Sequence, residues 1–68
     1  MSAVTICANH VIRHLNTKRG QEVYSAALKA GTNKYGALCF VAKDTPMLIS
    51  EDEFYDVTAR AQAIRNLQ

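Results

Sequence analysis

Pro46 is the only proline in the chain, and it opens the second of two short apolar runs, ALCFVA (37–42) and PMLI (46–49). A proline has no N–H to give to a sheet ladder, so a run that begins with one starts a strand there or lies at a sheet edge. The polar KDT (43–45) separates the runs, and this pattern predicts a β-hairpin with a three-residue connection. Ser50 follows directly, with Glu53 three residues on. That spacing predicts a capping box, in which the Ser50 hydroxyl accepts from the N–H of Glu53 and the Glu53 carboxylate returns to the N–H of Ser50.

Glu51, Asp52, Glu53 and Asp56 place four of the chain's six acids in SEDEFYD (50–56). The first three fall in the first helical turn, where the positive end of the helix dipole favours an anion by about 0.3–1 kcal/mol. Phe54, Val57, Ala61 and Ile64 recur at 3-4-3 spacing, with Leu67 extending the stripe. A helix from Ser50 to Leu67 is the expectation, and the acids are read mainly as its start.

Upstream, VTICA (4–8) is rich in β-formers and predicts a short strand, after which Asn9 caps a helix carrying Val11 and Leu15 on one face. NTKRG (16–20) is either a bend between two helices or an exposed turn of one. QEVYSAALKA (21–30) is strong helix material, and Gly31 stands where that helix would end in a left-handed residue. TNKYG (32–36) is turn-rich. The expected fold is therefore α+β, a small antiparallel sheet packed with two main helices in the order β-α-β-β-α, as a single domain over 1–68.

A chain of 68 residues buries only about 60% of the surface its unfolded form exposes. Small domains make up the deficit with disulfides, a metal or a partner subunit. Cys7 and Cys39 sit in apolar surroundings and read as free buried thiols, so pairing into a homodimer is the expected source of stability. No stretch reaches the length of about 20 apolar residues needed to cross a bilayer, and the N-terminus lacks a signal-peptide pattern. A cytoplasmic protein without a membrane role is expected.

Charge is unevenly spread. Residues 1–36 carry Arg13, Lys18, Arg19, Lys29 and Lys34 against Glu22, whereas residues 50–68 carry their four acids against Arg60 and Arg65. A basic front and an acidic back suit two different partners. Arg13, Lys18 and Arg19 are candidates for nucleic-acid phosphates. Glu51, Asp52, Phe54, Tyr55, Asp56 and Ile64 are candidates for a protein partner.

Catalysis and metal binding fit less well. Cys7, His10 and His14 share a helical face at i, i+3, i+7, and Cys39 would complete four zinc ligands. The close cysteine pair that usually begins a structural zinc site is missing, however, and a strand over 4–8 removes Cys7 from that face. An apolar setting raises a cysteine's pKa and leaves it inert as a nucleophile. Gly20, Gly31 and Gly36 are scattered and form no phosphate loop. No metal, no cofactor and no enzymatic activity are expected.

Two stretches together resemble the Phd/YefM family of bacterial and phage antitoxins. ALCFVAKDTPMLISEDEFYDV (37–57) is similar to that family's hairpin and following helix, with Leu48, Ile49, Ser50, Glu53 and Phe54 matching the pattern. RGQEVYSAALKAG (19–31) is similar to its first helix, which runs from an arginine (here Arg19, or Arg13 in another register) to a closing glycine. The resemblance implies a homodimer that binds operator DNA through its basic N-terminal face and a toxin or other enzyme through its C-terminal helix. Rival readings are a phage-type inhibitor that binds one protein target without DNA, and an assembly subunit whose apolar stripe serves oligomerisation.

Overall fold

The computed structural model describes residues 2–47 and 49–68 and contains four helices: α1 (Ala3–Leu15), α2 (Lys18–Lys29), α3 (Lys34–Asp44) and α4 (Glu51–Asn66). No strand occurs among the described residues. The fold is all-α, and the α+β expectation with its antiparallel sheet is overturned.

α1 replaces the predicted first strand. It begins six residues before the predicted cap at Asn9, because the Ser2 hydroxyl accepts from the N–H of Thr5 at 3.2 Å. Val4, Cys7, Ala8, Val11, Ile12 and Leu15 then recur at helical spacing, and all six lie in the core or pack against it. The local β preference of Val4, Thr5 and Ile6 yields to this continuous stripe.

Thr17 makes the 16–20 segment a bend between two helices. Its hydroxyl donates to the carbonyl of His14 at 2.6 Å and accepts from the N–H of Gly20 at 3.1 Å, capping α2. Gly20 is buried where α2 crosses α1. A Cβ there would fall inside the His14 carbonyl and 2.7 Å from the Leu15 Cα, so only glycine permits this approach. α2 ends as expected, with Gly31 at φ +98. The N–H of Gly31 bonds the Leu28 carbonyl at 3.1 Å and that of Thr32 the Ala27 carbonyl at 3.0 Å, the two bonds of a Schellman motif.

α3 occupies the predicted first hairpin strand. Asn33 caps it, its side chain accepting from the N–H of Gly36 at 2.7 Å. Ala37, Leu38, Val41 and Ala42 are buried at i, i+1, i+4, i+5, the spacing of a helix flank set into a core. Pro46 does not begin a strand; it terminates α3. The residue before a proline avoids the helical region, and Thr45 is extended at ψ 127. The buried Thr45 hydroxyl donates to the Val41 carbonyl at 2.7 Å. Leu48, part of the predicted second strand and of the family pattern, lies outside the described residues.

Ser50 caps α4 as predicted, accepting from the N–H of Glu53 at 3.4 Å, but the return bond of the predicted capping box, from the Ser50 N–H to the Glu53 carboxylate, is not formed among the described residues. Val57 and Ala61 are fully buried, and Phe54 and Ile64 pack against the core. Leu67, expected to continue that stripe, is 89% exposed.

α1 packs mainly on α4 and α2 on α3, while α3–α4 and α1–α2 contacts close the four-sided arrangement. Across one diagonal, α2 and α4 meet through long side chains. The Arg65 guanidinium lies 5.2 Å from the Tyr24 ring centroid, and Nη1 reaches the Tyr24 hydroxyl at 3.4 Å. The radius of gyration, 11.0 Å, matches the roughly 11 Å of a fully compact chain of this length.

Candidate interaction surfaces

Three helices converge on Asp44, the last residue of α3. His14, at the end of α1, places Nε2 at 2.8 Å from Asp44 Oδ2. Arg19, in the first turn of α2, donates from Nε to Oδ2 at 3.0 Å and from Nη2 to Oδ1 at 2.9 Å. A carboxylate only accepts, so His14 carries its proton on Nε2. Arg19 first, and His14 after it, hydrogen-bond the charged form of Asp44 and lower its pKa to about 2. Asp44 in turn raises the Arg19 pKa. An acid at the C-terminal end of a helix opposes the helix dipole. These two donors offset that penalty and tie α1, α2 and α3 together at one point.

The three predicted phosphate-binding residues differ in the partners they meet. Arg19 is occupied by Asp44. Arg13 is exposed, with Nη2 at 3.3 Å from His10 Nδ1, and Lys18 is exposed at the start of α2. The candidate zinc ligands likewise take other roles. Cys7 packs against the core, His10 receives Arg13, and His14 holds Asp44. Among the described residues no three His, Cys, Asp or Glu side chains are placed to hold a metal ion.

The candidate partner residues fall on two faces of α4. Phe54 and Ile64 turn toward the core, whereas Glu51, Asp52, Tyr55 and Asp56 are exposed, Tyr55 at 65%. The Phe54 and Tyr55 rings meet edge to face, with centroids 5.6 Å apart. Tyr35 of α3, which sequence reasoning did not single out, stands beside them, its hydroxyl 3.5 Å from the Tyr55 carbonyl oxygen. Partial burial raises the pKa of its phenol, and Cys39, Tyr55 and Asp56 add to the effect. Glu51, Asp52 and Asp56 form no ion pair among the described residues. The result is a surface with two tyrosines and unpaired acids at the α3–α4 corner.

A trough of about 540 Å³ between α2 and α3 was also not foreseen. Val23, Ala26, Ala27, Ala30 and Thr32 form its floor and sides, Phe40 lines it from α3, and Arg19 and Glu22 lie at its edge. Phe40 is 50% exposed, and the Lys43 ammonium lies 5.8 Å from its centroid and 5.6 Å from that of Phe54. Phe40 falls in the run predicted as the first hairpin strand, and as part of α3 it stands on the helix's outer side.

No described helix is long and apolar enough to cross a membrane. Comparison with protein-family models, with curated proteins and with solved structures finds no match to this chain. The resemblance to Phd/YefM antitoxins therefore rests on the residues quoted for it, while the sheet it implies is replaced by helices.

Proposed function

We propose that this chain acts by binding, as a small inhibitor-like or antitoxin-like module that engages a basic protein surface through the α3–α4 corner. The observation that carries this reading is Tyr55, 65% exposed on α4 beside Asp56 and one turn after Glu51 and Asp52, acids that form no ion pair among the described residues. Tyrosine is enriched in the energetic centres of protein interfaces, because it gives a large contact area for few rotatable bonds. Glu51, Asp52 and Asp56 around it supply a negative rim that speeds encounter with a cationic partner and excludes an anionic one. Tyr35 enlarges the patch from a second helix, so the contact depends on the fold and not on one helix alone. Operator DNA is not part of this reading, since the charge of Arg19 is already met by Asp44.

The test begins with a photo-crosslinking residue at position 55, used in the native host to trap the contacting protein. That protein is then purified and titrated against the wild type, against Tyr55→Ala and against Glu51→Gln/Asp52→Asn/Asp56→Asn. Support would be an affinity lowered about tenfold or more in both variants, with a wild-type affinity that falls as salt rises. Unchanged affinity in both variants, or crosslinks solely to a second copy of this chain, would defeat the reading.

A further inference from the structure

We propose that a second copy of this chain docks on the open side of α2, pairing the two α2 helices antiparallel and closing the α2–α3 trough of each. α2 is the helix whose apolar side the fold covers least. Gly20 and Ala27 are its only buried residues, Val23 and Tyr24 are half-buried, and Ala26 and Ala30 are exposed beside the half-exposed Phe40. The other three helices bury three or four residues each.

Charge selects a second copy as the occupant. Glu22 and Lys29 stand seven residues apart on the outer edge of α2, about 10 Å along the axis and beyond the i, i+4 reach of an intrahelical pair. Both are exposed, and neither forms an ion pair among the described residues. Ser25 and Ala26 lie midway between them. A two-fold axis beside these residues reverses the partner helix and sets each Glu22 against Lys29 of the other copy. Such an interface is self-complementary, as a closed dimer requires. The small side chains of Ala26 and Ala30 let the two backbones approach at the centre, and the same symmetry brings the two troughs face to face, removing Phe40 from water. A second groove of about 440 Å³, lined by Lys18, Gln21, Ser25 and Lys29 together with Glu22 and Ala26, flanks the other side of this line. The ridge carrying Glu22 and Ala26 thus stands between two open grooves.

The test is sedimentation equilibrium of the full chain from micromolar to millimolar concentration. A reversible species of twice the chain's 7.5 kDa is expected. Glu22→Lys should raise its dissociation constant about tenfold or more, because two attractive contacts become two repulsive ones. Glu22→Lys combined with Lys29→Glu should restore it. Phe40→Ala should weaken the dimer while helical circular dichroism stays unchanged. A monomer throughout the range, open-ended oligomers, or a dimer indifferent to Glu22→Lys would overturn the proposal.

Discussion

Arg19 holds Asp44 by two hydrogen bonds, Nε to Oδ2 at 3.0 Å and Nη2 to Oδ1 at 2.9 Å, across 25 residues of sequence. This forked contact relies on Gly20, the next residue, which lets α2 approach the His14 backbone closely enough for the guanidinium to reach the end of α3. His14 completes the joint from α1. One carboxylate therefore reports on the mutual placement of three helices.

The pH dependence of stability follows from it. Asp44 ionises at about 2 in the folded chain, against 3.8 for an unperturbed aspartate. A carboxyl depressed in this way contributes stability above its unfolded value, and the contribution is lost as the pH falls through its folded value. The thermal midpoint of the wild type should therefore exceed that of Asp44→Asn at neutral pH, and the gap should close between about pH 4 and pH 2. Melting curves followed by circular dichroism across that window provide the measurement; parallel curves would show that Asp44 does not act in this way.

Arg13 and Arg19 should part company. Arg19→Ala removes both donors to Asp44 and should lower the melting temperature, whereas Arg13→Ala, on an exposed face, should leave it within error of the wild type. Arg19→Lys should recover only part of the loss, because an ammonium does not reproduce the planar two-point fork. Equal effects of the two alanine substitutions would contradict this assignment.

Gly20→Ala should destabilise by about 1–3 kcal/mol, since its methyl group meets backbone and not a side chain that can move aside. Gly31→Ala tests a different cause. Nothing lies within 4 Å of the added carbon, and the cost of about 1 kcal/mol comes from the left-handed backbone at φ +98. Urea midpoints of the two variants should rank Gly20→Ala as the more damaging.

Leu38 and Phe40 lie two residues apart on α3 and should differ sharply. Leu38 is fully buried among α1, α3 and α4 residues, so Leu38→Ala should cost about 2–5 kcal/mol. Phe40 is half exposed, and its replacement by alanine should cost less than about 1 kcal/mol in chain stability. Chemical denaturation at low protein concentration measures both without a contribution from self-association.

Signals that act within one helical turn could be read directly from the residues. Ser50 caps α4, Gly31 closes α2, and the Phe54–Val57–Ala61–Ile64 stripe faces the core, because each depends on neighbours no more than a few positions away. The state of ALCFVA could not be read that way. A short, continuously apolar segment fits a buried strand or a buried helix equally well, and its helical form rests on α1 and α4 receiving Leu38 and Val41 on one side. The same holds for residues 4–8, where Val4, Thr5 and Ile6 are locally suited to a strand, but Val4, Cys7 and Ala8 join a six-residue stripe once α4 is there to cover it, and Ile6 is left exposed. Asp44 gave least warning. It reads as a turn residue within KDT, and its two partners lie 25 and 30 positions away. Local hydrogen bonds and backbone preferences are properties of the sequence itself, whereas which face is buried and which charges meet arise only when the helices come together.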